Sequence, residues 1–196
     1  FSSEFSMTSI MSEPLFNSKY VYKNVKEYID VYFNYTITYS FNVDNRDIIV
    51  IFYVKDTNKK IFDLCDIKIR KIITILFFLS KYSSGNCSKQ LKIHLPLTPL
   101  RKCLPRSNLD ILDTVNVNSA VTTSCTTNGV LIIYRLEEWF KILIHELFHV
   151  MGLDFSLIHS DICSKKLREE LNIDFELLIY EAYTEFWATI INSLCF

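Results

Sequence analysis

The stretch "YRLEEWFKILIHELFHVMGLDF", Tyr134–Phe155, decides how the chain is read. Between Leu136 and Met151 apolar residues point in nearly every direction, the pattern of a helix buried on all sides. Glu137 and Glu138 suit its positive N-terminal end, and Gly152 suits its stop. Yet His145, Glu146 and His149 sit in its middle, with the two histidines one turn apart on one face. Burying two imidazoles and a carboxylate without partners would cost several kcal/mol, so something must compensate them. A divalent metal does so economically. Histidines at i and i+4 can both aim a ring nitrogen at one Zn²⁺, and Glu146 between them can reach a metal-bound water. The competing reading is a core helix whose histidines are satisfied by neighbouring side chains.

A catalytic zinc takes three protein ligands and leaves one position open. In the metzincin spacing the third would stand at Phe155, which cannot ligate, and no methionine follows Met151 to form a Met-turn. Asp154 is one residue out of that register, and His159 follows a loop of unknown path. The segment "LLIYEAYTEFWATIINSL" offers better chemistry. Glu181 and Glu185 lie one turn apart on a helix otherwise built from Leu177, Leu178, Tyr183, Phe186, Trp187, Ile190 and Ile191. Like charges at that spacing repel and are costly to bury, a penalty that a nearby cation reverses. Glu181 would then be the third ligand. Glu185 would accept the other ring N–H of a ligating histidine, His145 before His149. The competing reading is a stripe of carboxylates on a surface helix.

With 196 residues, 49% hydrophobic and 14% aromatic, the chain can bury a substantial core and is neither disordered nor collagen-like. A formal charge of -1 gives no electrostatic footprint for nucleic acid or an anionic membrane. The longest apolar run, Ile72 to Leu79, is far shorter than the roughly 20 residues that cross a bilayer. No charged segment followed by an apolar one marks a signal peptide. Six cysteines without a C-x-x-C pair are expected to be reduced, mostly buried thiols in a reducing compartment. The sequons at Asn34 and Asn86 decide nothing.

Three glycines and four prolines punctuate little, so periodicity sets the boundaries. Residues 1–30 read as a polar, aromatic-sprinkled arm with helical stretches, and residues 31–196 as one domain. "YTITYSFN" and "IIVIFYV" form a hairpin about "VDNRD". From Ile61 to Ser83 the apolar positions Phe62 to Leu79 recur at three and four, a helix closed by Gly85. "LKIHLPL", "TVNVNSAVT" and "GVLIIY" are strands, and two helices finish the chain. The class is therefore α+β: a small mixed sheet, a backing helix, a helix carrying HELFH and a C-terminal helix carrying EAYTE.

"HELFH" followed on a later helix by "EAYTE" resembles the arrangement of the gluzincin metallopeptidases, the thermolysin-like branch of the zincins. That resemblance implies a zincin fold, His145, His149 and Glu181 as zinc ligands, Glu146 as general base on the zinc-bound water, and Glu185 as the partner of a ligating histidine. In zincins an edge strand binds extended substrate, and "NVNSAVT" looks like that strand, with Asn118, Ser119 and Ala120 offering backbone groups to a peptide. The expected activity is zinc-dependent peptide-bond hydrolysis by a metalloendopeptidase. Oxyanion stabilisation would fall to Tyr180, Tyr183, Tyr134 or His159. "RLEEWFKILIHELFH" with "YEAYTEFWA" is also similar to zincin-like proteins of large DNA viruses, which implies a virion as an alternative setting. Two readings compete: an inactive zincin-fold scaffold, virion-associated by that similarity, and a metal-free core. The arm at 1–30 would serve as a pro-segment or as a tail that binds an assembly partner.

Overall fold

Asp44 and Asn45 both adopt positive φ, 49° and 61°. Two such residues between paired positions make the mirror-image turn whose twist matches a hairpin, and Asp and Asn tolerate it. Strands β2 (Tyr35–Val43) and β3 (Arg46–Val54) are thereby joined with Val43 opposite Arg46. The computed structural model describes residues 3–6, 10, 13–103, 105, 107, 109, 113–155, 160–175 and 177–195. Six strands form one mixed sheet in the order β1-β2-β3-β4-β6-β5. Strand β1 is Ser3–Ser6, β4 Gln90–Leu95, β5 Ala120–Thr122 and β6 Asn128–Ile133. Pairings β3–β4 and β4–β6 are parallel and the others antiparallel, with β5 at the end of the order.

Alternation along the strands splits their side chains between two faces. Ile48, Val50 and Phe52 of β3, Leu91, Ile93 and Leu95 of β4, and Leu131 and Ile133 of β6 face one way. They meet three helices: α2 (Lys59–Ser80), α4 (Trp139–Val150) and α6 (Ile179–Leu194). Asn58 caps α2 by accepting a hydrogen bond from the Ile61 amide. On the other face Tyr53, Val121, Ile132 and Tyr134 pack against Ile10, Phe16, Val21, Val25 and Ile29. The last two belong to α1 (Lys23–Tyr32). Residues expected to form an arm thus cover a face of the sheet, and position 30 falls inside α1. The architecture is α+β with helices on both faces. No helix among the described residues is long and apolar enough to cross a membrane.

Three local expectations need correction. The segment "TVNVNSAVT" is not one strand: Thr114–Val117 forms a single helical turn, α3, and the strand starts at Ala120. Asp113 accepts from the turn's first amides while the Asn116 side chain accepts from the Asp113 amide. That reciprocal cap outweighs the β-branched propensity of the two valines. Three helices, not two, follow β6, since α5 occupies Ser160–Leu171. Finally, Cys87 and Cys125 form a disulfide. The parallel pairing of Gln90 with Asn128 brings together the loop before β4 and the β5–β6 turn, a proximity invisible along the chain. Of the remaining thiols Cys65 is buried, and Cys103, Cys163 and Cys195 are exposed.

Candidate metal centre

Helix α4 lies along β6 and α6, and its C-terminal end fixes the site. Met151 ends the helix, the Gly152 amide donates to the His149 carbonyl, and the Leu153 amide donates to the Phe148 carbonyl. These two bonds, with Gly152 at φ 65°, form a Schellman closure that turns the chain back on the helix. Asp154 is thereby returned beside the turn it has just left. Its buried carboxylate stands 2.6 Å from Nδ1 of His149.

The other ring nitrogens converge. Nε2 of His145 and Nε2 of His149 are 3.1 Å apart. Oε2 of Glu181, from the first turn of α6, is 3.2 Å from the first and 3.4 Å from the second. A tetrahedral zinc with bonds of about 2.0–2.1 Å holds its ligand atoms about 3.3–3.4 Å apart. The three atoms already have nearly that spacing, so His145, His149 and Glu181 could hold a metal ion. Nδ1 of His145 is 3.3 Å from Oε2 of Glu185, whose other oxygen pairs with Lys141. Glu185 therefore lies against His145. Asp154, weighed from the sequence as a substitute ligand, instead supports His149 from behind.

The electrostatics follow from this crowding. Hydrogen bonds from both imidazoles hold the Glu181 carboxyl down at about 2. Burial would depress the His149 imidazole, but hydrogen bonds to Asp154 and Glu181, with the charge of Glu146, raise it to about 10. Without a metal, this is a site that holds a proton where a cation would sit. Burial pushes the Glu146 carboxyl above its ordinary range; the two histidines oppose that and Glu181 adds to it.

The cluster opens into a cleft of about 880 Å³. One wall is the stretch from Val117 to Thr122, and another includes Leu178, Tyr180 and Glu146. The expected substrate-strand residues fare differently. Asn118 is committed: its side chain donates to the Tyr20 carbonyl and its own carbonyl accepts from Arg135. The Ser119 carbonyl accepts from the Tyr134 amide, and the Thr123 amide donates to Val130. In an antiparallel pair inward-bonded residues alternate, so Ser119, Val121 and Thr123 face β6, and Ala120 and Thr122 turn their backbone groups outward. Ala120 therefore has the expected orientation, Asn118 and Ser119 do not, and Thr122 joins it. The period-2 rule would have found Thr122 once the strand start was known.

Of the oxyanion candidates, Tyr180 lines the cleft with its ring 6.2 Å from that of His149. Tyr183 instead packs edge-on or tilted against the rings of Phe148, Phe155 and Trp187. The Tyr134 hydroxyl donates to the Tyr20 carbonyl. His159 lies outside the described residues. No family model, curated protein or solved structure compared with the chain matches it.

Proposed function

We propose that the chain is a zinc-dependent peptide hydrolase of gluzincin type. The observation that carries this reading is the triangle of Nε2, Nε2 and Oε2 atoms with edges of 3.1, 3.2 and 3.4 Å. Two imidazoles and one carboxylate are a donor set suited to zinc. A divalent ion held there supplies Lewis acidity, polarising a carbonyl and acidifying water.

The chain's own groups supply the rest. Glu146, one residue beyond His145 and facing the cleft, accepts a proton from the attacking water on its carboxylate and returns it to the leaving amine. Burial, which raises its pKa, makes the carboxylate a stronger base for the first of these transfers. Asp154 and Glu185 hold the two imidazoles in the tautomer that leaves Nε2 for the ion. An extended peptide adds to β5 by pairing with the outward amides and carbonyls of Ala120 and Thr122. Tyr180 is the donor best placed to meet developing negative charge.

The same short distances also suit a metal-free network in which a protonated His149 bonds Asp154 and Glu181. Elemental analysis of the purified parent and Glu146→Gln, run beside cleavage of an unstructured protein, separates the readings. One zinc per chain in both, with cleavage by the parent alone, is expected; His149→Ala and Glu181→Ala should each lose the metal. Zinc without cleavage in either protein would favour an inactive scaffold. Absence of zinc would return the histidines to the network.

A further inference from the structure

The disulfide stands against the end of the helix that carries the site. A Cβ built on Gly152 would come within 2.8 Å of the Cys87 sulfur and 3.2 Å of the Cys125 Cβ, so α4 ends in direct contact with the bridge. The surrounding socket is made by the same two segments that the bridge ties together. From the α2–β4 loop, the Ser88 hydroxyl donates to the Val150 carbonyl at 2.7 Å and the Ser83 hydroxyl to the Met151 carbonyl at 2.6 Å. The Ser88 amide donates to Thr126 in the β5–β6 turn. A helix that leaves its last carbonyls without partners frays, and here both serines come from the bridged loop.

His149 lies in the last turn of α4 and Asp154 two residues beyond Gly152, so their 2.6 Å contact spans the clamped turn. The edge strand β5 runs directly into the turn that holds Cys125. Cys87 is buried, whereas Cys125 is only partly buried, so Cys125 is the end of the bridge nearer solvent.

We infer that the Cys87–Cys125 disulfide is a redox clamp on the metal site, and that its reduction loosens the C-terminal turn of α4 and weakens metal binding. A thiolate from a dithiol reductant attacks the Cys125 sulfur, and Cys87 leaves as a thiolate and takes a proton. The second thiol of the reductant then displaces Cys125 and closes the reductant's own disulfide. Two protein thiols and one oxidised reductant result.

The inference rests on the metal reading for its consequence, but not for its structural part, and the test keeps the two apart. A water-soluble trialkylphosphine is used as reductant, because it becomes its oxide with an oxygen from water and adds no thiol ligand for zinc. Hydrogen exchange by mass spectrometry and competition for zinc with a chromogenic chelator are measured on the oxidised parent, the reduced parent and the Cys87→Ser/Cys125→Ser variant. Faster exchange confined to residues 148–154 and 123–127 is expected in the last two, with the β2–β3 core unchanged. Zinc affinity should fall by about 10–100-fold, the range found when the partner of a ligating histidine is lost. The variant should not respond to phosphine, which excludes Cys103, Cys163 and Cys195 as the cause. Unchanged exchange at 148–154, or exchange that rises everywhere, would overturn the clamp. Local loosening with equal zinc affinity in both states would overturn its control of the metal. No zinc in any form, with the local loosening present, would sink the metal reading and leave a clamp that controls no ion.

Discussion

His145 and His149 are supported unequally. Asp154 is buried, its side chain only 2% exposed, and lies 2.6 Å from His149. Glu185 is half exposed, 3.3 Å from His145, and shares its charge with Lys141. Solvent screens the second pair far more than the first, so the two carboxylates should differ in consequence. Asp154→Asn, which keeps the shape and removes the charge, is expected to lower zinc affinity by about 10–100-fold, and Glu185→Gln by less than tenfold. Competition with a chromogenic chelator measures both, and the reverse order would show that burial does not rank these contacts. His145, His149 and Glu181 were legible because each is a costly group on an apolar helix, and a single ion could relieve them all. The role of Asp154 was not, since it depends on the Schellman turn at Gly152, which carries the chain back instead of onward. Gly152 is visible in "HVMGLD", so a residue two beyond the helix stop could have been tested as a partner of the last turn.

The hairpin, the backing helix α2 and the helix α4 that carries HELFH were all legible, because each repeats its apolar residues at the period of its own geometry over many positions. Short elements fail that test. Thr114–Val117 reads as strand by composition and is helical because Asp113 and Asn116 cap one another. Helix α5, from Ser160 to Leu171, has too weak an apolar stripe to announce itself, and leaves Ile162, Leu167 and Leu171 exposed. The misplaced start of β5 explains why Asn118 and Ser119 were expected to face a substrate. Ala120→Pro tests the corrected register. Proline removes an outward amide while leaving the inward bonds of Ser119 and Val121 intact, and an edge strand accepts it. Loss of one backbone hydrogen bond at about 0.5–1.5 kcal/mol predicts a fall of about 3–10-fold in kcat/KM for a peptide, with zinc content unchanged. Unaltered peptide turnover in a protein that is otherwise active would remove β5 from the substrate site.

The sheet is a shared wall, with α4 on one face and Ile10, Phe16, Val21, Val25 and Ile29 on the other, and the contact between halves of the chain is partly ionic. Glu13 Oε1 lies 2.8 Å from Lys92 Nζ and 3.3 Å from His94 Nε2, while the Tyr53 hydroxyl is 2.9 Å from His94 Nδ1. Both Lys92 and His94 are on β4, and their even positions alternate with the core-facing Leu91, Ile93 and Leu95. His94 is 2% exposed, and its Nε2 has no formed hydrogen bond despite the nearby carboxylate. Burial therefore lowers its pKa to about 4; the Glu13 charge opposes this and the Lys92 charge reinforces it. Above about pH 6.5, the ordinary histidine value, the imidazole is neutral in both folded and unfolded chains and makes no demand. Between 6.5 and 4 the unfolded chain takes up a proton that the folded chain refuses, so stability falls as the pH falls. Burial would raise the Glu13 carboxyl, but its hydrogen bond from Lys92 and the charges of His94 and Lys92 hold it below the ordinary carboxylate range, so its contribution is lost only beneath that range. His149, raised to about 10, loses stability as pH rises above 6.5 and is level below it. The raised Glu146 carboxyl works the other way as the pH falls, so the His94 part is read as the difference between parent and His94→Phe, and between pH 7 and 5 it should cost the parent about 2 kcal/mol in urea unfolding relative to that variant. His94→Phe, which fills the site without a titrating group, should lack that part of the slope, whatever its stability at pH 7. An equal slope in parent and variant would mean that His94 is reached by water, and that residues 10–29 do not seal this face of the sheet.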